Sequence, residues 1–249
     1  MAVLVTRPDA RGIQLVEMLN KAGIVAIHLP LFSIEAGSEL NQLPNKLAKL
    51  KAQDYVFAVS KNAVEYAAQT LKQTGFHWRD DLCYFTVGQR TAEYFAANTE
   101  QMIYYPFQQE TSEGLLELPA MQTLHGKQIL ILRGNGGREL FAEQAQQRGA
   151  EVDYLECYRR VPIVYPNNQE QTSLCQRAGV QTVIVTSMEI LLSLMDFVPE
   201  KEHNWLKSCQ LITVSRRIAT FAKKSGWQNV TISPKADNQA LLHTLLQNA

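Results

Sequence analysis

Val3-Leu4-Val5-Thr6-Arg7 at the start of the chain and Ile129-Leu130-Ile131-Leu132-Arg133 in its middle have one layout: a short run rich in aliphatic and β-branched residues that stops at an arginine. Each then enters a helical pattern, in which Leu15, Leu19 and Gly23 line up with Phe141, Ala145 and Gly149. The glycines fall where a helix C-cap is expected. The offset of about 126 residues points to an internal repeat, the first thing to establish in any fold reading.

The repeat continues outward from that pair. FAVSKNAV, from Phe57 to Val64, resembles IVTSMEIL, from Ile184 to Leu191, with Ser60 and Ser187 each just after the apolar run. FTVGQRTAEYF, from Phe85 to Phe95, matches ITVSRRIATFA, from Ile212 to Ala222. Each copy closes with a strand-like run, a proline (Pro106 or Pro234) and a leucine-rich helix. Strand-like and helix-like runs alternate at spacings that suit parallel βαβ units. The fold class expected is therefore α/β, with two doubly wound parallel-sheet domains from an internal duplication.

Strands are expected over Ala2–Thr6, Tyr55–Val59, Cys83–Val87, Gln128–Leu132, Thr182–Thr186 and Leu211–Val214. Two further extended stretches, Ala26–Ile34 and Val152–Val164, contain Pro30 or Pro162 and are the candidate connectors between domains. In doubly wound sheets ligands collect at the carboxyl ends of strands, where helix N-termini offer free N–H groups. Two such domains direct the search for a site to an interdomain cleft.

Composition narrows the function. At 249 residues and 46% apolar the chain can bury two cores, and its 24 basic residues balance 24 acidic ones. No global field draws it to nucleic acid or an anionic membrane, so an anionic ligand must be held locally. MAVLVTRPDA lacks the layout of a signal peptide and no apolar run approaches a membrane span, which reads as a cytoplasmic protein. Cys83, Cys157, Cys175 and Cys209 are scattered without metal-ligand spacing, so buried thiols are expected and no metal site is signalled.

Local candidates follow from the strand ends. Arg133-Gly134-Asn135-Gly136-Gly137-Arg138-Glu139 is a glycine-rich turn between strand and helix. It is neither a dinucleotide fingerprint nor a P-loop, because Glu139 stands at the third glycine position and no Gly-Lys-Ser/Thr follows. It is either a turn needing positive φ or, with its two arginines, a carboxylate-binding turn. Ser60-Lys61-Asn62, Gly88-Gln89-Arg90-Thr91, Thr186-Ser187 and Ser215-Arg216-Arg217 are either plain N-caps or anion sites. Alternation along the second connector puts Tyr154 and Tyr158 on one face and Arg159 on the other.

VLVTRP, ILRGNGGREL, ECYRR and VTS, in that order from Val3 to Leu246, resemble the bacterial uroporphyrinogen-III synthase family. The resemblance implies a discontinuous domain of residues 1–34 plus 165–249 and a second of residues 37–160, with the active site in the cleft and no metal or organic cofactor. It implies that the substrate is hydroxymethylbilane, a linear tetrapyrrole, cyclised to uroporphyrinogen III with loss of water and inversion of the last ring through a spiro intermediate. Tyr158 matches a family tyrosine thought to assist departure of the hydroxyl. The groups expected to take the substrate's carboxylates are Arg7, Asn135, the charged clamp Arg138, and the strand-end segments Ser60, Lys61 and Asn62; Gly88, Gln89, Arg90 and Thr91; Thr186, Ser187 and Met188; and Ser215 and Arg216. A monomer is expected, in transient contact with the preceding pathway enzyme. The alternative from another class is a two-domain binding protein that closes on a small anionic ligand without catalysis.

Overall fold

The computed structural model of the chain describes residues 2–247. Its strands are β1 Ala2–Val5, β2 Val25–His28, β3 Phe32–Ala36, β4 Tyr55–Ala58, β5 Cys83–Thr86, β6 Ile103–Tyr104, β7 Gln128–Gly134, β8 Glu151–Pro162, β9 Val180–Ile184, β10 Gln210–Thr213 and β11 Val230–Ile232. The helices are α1 Asp9–Lys21, α2 Leu43–Lys49, α3 Lys61–Thr74, α4 Gln89–Thr99, α5 Ser112–Glu117, α6 Leu140–Gln147, α7 Asn168–Arg177, α8 Met188–Phe197, α9 His203–Ser208, α10 Arg216–Lys224 and α11 Asn238–Gln247. The strands read from the sequence lie within two residues of their observed ends, because continuous aliphatic runs in a doubly covered parallel sheet are a strong signal.

The chain divides into two compact units, residues 1–34 with 161–249 and residues 35–160. The first holds a five-stranded sheet in the order β11-β10-β9-β1-β2, and the second a six-stranded sheet in the order β6-β5-β4-β7-β8-β3. Apart from β3 the two orders correspond strand for strand, β1 with β7, β2 with β8 and β9 with β4. The pairings β1 with β2 and β9, and β7 with β4 and β8, are parallel. A parallel sheet must be covered on both faces. In the first unit Val3, Val5, Ile184 and Ile212 pack with Leu15 and Leu19 of α1 and Leu241 and Leu245 of α11. Leu4, Val183 and Leu211 face the other way, onto α8 and α10. Each fully buried leucine here contributes roughly 2 kcal/mol.

In the second unit Phe57, Ile129 and Ile131 pack against Phe141, Ala142 and Ala145 of α6. Helix α3 shows why its sequence forms that element. Ser60 caps it by accepting the Ala63 N–H at 3.3 Å, and its buried residues Ala63, Val64, Ala67 and Leu71 form one stripe. Gly23 and Gly149, expected at C-caps, follow α1 and α6 with φ of 79° and 92°.

The faces of β8 depart from simple alternation. Arg133 pairs with Glu156, but the next residue of β7, Gly134, pairs with Tyr158, so Cys157 is an extra residue on β8. A bulge of this kind moves every later side chain to the opposite face. The expectation that Tyr154 and Tyr158 share a face is therefore corrected. Three of the four thiols, Cys157, Cys175 and Cys209, are buried; Cys83 is partly exposed.

Candidate functional site

In the second unit the groups singled out from the sequence collect at the carboxyl end of the sheet. Ser60 follows β4, the glycine-rich turn follows β7, and Tyr158 stands on β8 beside Gly134. Helix α3 lies over the face opposite to α6, so β4 and β7 mark the point where the winding of the fold reverses, the usual place for a ligand in such sheets.

Tyr158 is held from several sides. The Ser60 hydroxyl donates to its phenol oxygen at 3.2 Å. A Cβ on Gly134 would lie 2.8 Å from the Tyr158 Cε2 and Cζ atoms, so no larger residue fits while the ring stays in place. The Arg160 guanidinium stands 5.6 Å from the ring centre. Tyr158 is 3% exposed, whereas Tyr154 is only half-buried.

Tyr154 belongs instead to a cluster on the other face. Its hydroxyl donates to Glu139 at 2.6 Å, Arg133 pairs with the same carboxylate at 2.7 Å, and the Arg133 guanidinium sits 4.9 Å over the Tyr154 ring. Hydrogen bonds from Tyr154 and then Arg133 hold the Glu139 carboxyl below the usual range. Burial, followed by that neighbouring carboxylate, pushes the Tyr154 phenol up to about 12. Arg133, Arg138, Tyr154 and Ser112 rim a cavity of about 180 Å³ floored by Phe57, Ile131 and Phe141.

The glycine-rich turn combines both readings made of it. Gly137 has a φ of 145°, and Gly134 is required for space. Asn135 braces the turn: its amide accepts from the Arg160 N–H at 3.0 Å and donates to the Arg160 carbonyl at 3.3 Å, so its side chain is engaged by backbone. Arg138 is exposed and pairs with Glu113 at 3.3 Å.

The N-terminus of α4 already receives a carboxylate. Gly88 has no side chain with which to cap it, and Glu110 Oε2 accepts the Gln89 N–H at 3.2 Å. The Gln89 side chain turns to Glu93, and Lys61 lies 4.5 Å over the Tyr94 ring. Arg90 is exposed, while Asn62 and Thr91 are half-buried. Glu110, Glu113 and Glu139 were absent from the sequence-derived site. Only Glu139, in the motif itself, carried a signal; Glu110 lies on a connecting segment and Glu113 in the first turn of α5, where no local pattern marks either.

The first unit presents its own strand ends. Ser187 caps α8 by accepting the Ile190 N–H at 3.1 Å, and Ser215 caps α10 by accepting the Ile218 N–H at 3.3 Å. Thr186 and Met188 are half-buried beside the first cap, and Arg216 is exposed at the first turn of α10. Arg7 is a correction. It is 7% exposed, and its Nη1 donates to the Ala236 carbonyl at 2.6 Å and to Asn238 Oδ1 at 2.9 Å. The guanidinium ties the end of β1 to the start of α11 rather than standing open to a ligand.

Fold and strand-end chemistry together define a two-unit, doubly wound α/β protein whose polar groups gather at the carboxyl ends of both sheets. A family model described as uroporphyrinogen-III synthase HemD matches residues 13–243. Uroporphyrinogen-III synthase of Escherichia coli strain K12 is 43% identical over 247 residues, which is 98% of this chain and 100% of that one. A crystal structure of the synthase from Thermus thermophilus and one of the synthase from Helicobacter pylori superpose with TM-scores of 0.69 and 0.61, each at 16% identity and over 100% of both chains. The chain belongs to the uroporphyrinogen-III synthase family, cyclising lyases of porphyrin biosynthesis. A family of enzymes disfavours the alternative of a binding protein without catalysis. No helix among the described residues is long and apolar enough to cross a membrane.

Proposed function

We propose that the protein converts hydroxymethylbilane to uroporphyrinogen III, with Tyr158 as the proton donor to the departing hydroxyl. The C–O bond of the terminal hydroxymethyl group breaks with its electron pair on oxygen, the phenol proton joins that oxygen, and water leaves. The pyrrole nitrogen supplies the electrons, leaving an electrophilic azafulvene cation. The substituted carbon of the last ring attacks it to give the spiro intermediate, which reopens and recloses inverted. The proton lost on rearomatisation restores the phenol, so the net change is loss of one water.

The observation that carries this reading is the Ser60–Tyr158 hydrogen bond, in which the phenol oxygen is the acceptor. The phenol proton is thereby left for another partner, and a neutral phenol donates well at physiological pH. A buried donor is also stronger than one in water. For the substrate's carboxylates, the Glu110 carboxylate on the α4 N-terminus supports the use of such helix starts as anion seats. We assign the same role to the N–H groups at Ser60–Asn62, Thr186–Met188 and Ser215–Arg216. A cytoplasmic monomer meeting the preceding pathway enzyme transiently fits the balanced charge and an open-chain substrate that cyclises unaided.

Purified protein incubated with freshly made hydroxymethylbilane, followed by oxidation and separation of isomers, tests the reaction. The type III isomer is expected, and formation of the uninverted isomer alone at the uncatalysed rate would refute it. Tyr158→Phe tests the donor. Turnover is expected to fall roughly tenfold to a thousandfold with folding preserved, the pyrrole's own electron push sustaining the remainder. Wild-type turnover with the same isomer ratio would make Tyr158 structural.

A further inference from the structure

We propose that Ser60 is the positioning residue for Tyr158, its hydroxyl fixing the phenol oxygen as an acceptor so that the phenol's single proton points at the leaving group. The inference rests on the proton-donor reading of Tyr158 and goes beyond it by naming what sets the direction of that proton.

A phenol has one proton and two lone-pair sites, and rotation about its C–O bond carries that proton round a cone on which two positions, in the ring plane, are favoured. In this chain the rotor is constrained. The Ala63 N–H, at the start of α3, donates to Ser60 Oγ at 3.3 Å, and Ser60 Oγ–H donates to Tyr158 Oη at 3.2 Å. These form a one-way series running from a helix N-terminus to the phenol. Each donor in such a series polarises the next, and the helix start places partial positive charge at its head. The series thus fixes the phenol oxygen in place and polarises it from the side of α3.

The backbone is fixed as well as the hydroxyl. Asn135 N–H donates to the Tyr158 carbonyl at 3.1 Å, and Gly134 abuts the ring. Among the described residues no carboxylate or histidine bonds to the Tyr158 hydroxyl, so Ser60 is the side chain that sets its polarity. The other serine caps make the role specific. Ser187 and Ser215 accept helix N–H groups in the same way, but neither bonds to a phenol.

Kinetics of Ser60 variants test the proposal, with the cap separated from the donor. Ser60→Ala should lower kcat roughly fivefold to fiftyfold with KM within about twofold of wild type, since the lost effect develops as the hydroxyl departs. Ser60→Thr keeps both cap and donor and should restore most of the rate. Ser60→Asp keeps the cap but offers the phenol only an acceptor, so it should be at least as slow as Ser60→Ala while melting near wild type. In the double variant Ser60→Ala/Tyr158→Phe the rate should equal that of Tyr158→Phe alone, because the two act as one unit. Asn167→Ala, which removes the cap of α7, should lower the melting temperature and leave both kinetic constants unchanged.

Wild-type kcat in Ser60→Ala, full activity in Ser60→Asp, or multiplicative losses in the double variant would each overturn the positioning role while leaving Tyr158 as donor. Wild-type turnover in Tyr158→Phe would instead overturn the reading beneath it, and the inference with it.

Discussion

Arg7 and Arg133 end corresponding strands of the two units, and the chain holds them in opposite ways. Arg7 is drawn inward to the Ala236 carbonyl and Asn238, where it fastens the last helix to the first strand. Arg133 lies on a glycine-rich turn, paired with Glu139 and stacked over Tyr154. One unit commits its strand-end cation to closing a chain that leaves and returns. The other commits it to ordering a turn one residue away from the glycine on which Tyr158 rests. Similar sequence patterns therefore divide the labour: the strand-end cation fastens the chain in one unit and orders a turn in the other.

The sharpest way to break that asymmetry is Gly134→Ala. Its new methyl would meet the Tyr158 ring at 2.8 Å, and neither neighbour can yield without shifting the phenol from Ser60. Turnover is expected to fall roughly tenfold to a hundredfold, with a stability loss of about 1–3 kcal/mol from overpacking. Steady-state kinetics and urea unfolding read both. A variant of normal stability and turnover would show that the ring is not confined by that glycine.

Arg7→Ala tests the other side of the comparison. It removes two hydrogen bonds from a buried cation, so unfolding free energy should drop by about 2–3 kcal/mol. A loss below about half a kcal/mol by denaturant titration would mean that the Ala236 and Asn238 contacts do not fasten α11.

These two residues also show what the sequence could and could not convey. Strands β1, β4, β5, β7, β9 and β10 were legible because aliphatic runs at parallel-sheet spacing have few other uses, whereas the stretches holding β2, β3 and β8 read as connectors; Ser60, Ser187 and Ser215 were legible as helix starts because hydroxyl caps are local. Arg7 was not, since its acceptors lie far along the chain, beyond the last strand. The face of Tyr158 was misread because a single extra residue, Cys157, inverts the alternation and leaves no local trace. The pairing of Tyr158 with Ser60 joins a residue of β8 to the cap of α3, far apart in the chain, so nothing in either segment announces it. Local rules reach as far as the cap, and the partner of the cap is a matter of topology.

A smaller contrast concerns threonines at strand ends. Thr86 and Thr213 end corresponding strands β5 and β10, are fully buried, and have hydroxyls without a hydrogen-bond partner among the described residues. Thr6 is equally buried but donates to the Ile184 carbonyl at 2.7 Å. Thr86→Val should therefore leave stability unchanged or raise it by about 1 kcal/mol, while Thr6→Val should lower it by about 1 kcal/mol. Equal losses for the two in denaturant melts would indicate that Thr86 is bonded in solution.

The smallest effect on the fold, and the one that most sharpens the contrast with Arg7, is expected from Arg138→Ala. Arg138 is a cation of the same turn as Gly134, but its side chain is 62% exposed and its contact with Glu113 is 3.3 Å long. Solvent screens such a pair, so stability should change by no more than about 0.5 kcal/mol. As a clamp on a substrate carboxylate remote from the departing hydroxyl, it should act alike on the bound substrate and on the transition state. Binding would then weaken and chemistry would not: KM is expected to rise several-fold with kcat near wild type. High salt should shrink the difference between variant and wild type, because the attraction is between exposed charges. If Arg138 serves only its pair with Glu113, both kinetic constants stay at wild-type values and Glu113→Gln reproduces whatever small stability change Arg138→Ala shows. A fall in kcat at constant KM would contradict both views and move Arg138 towards the reacting ring.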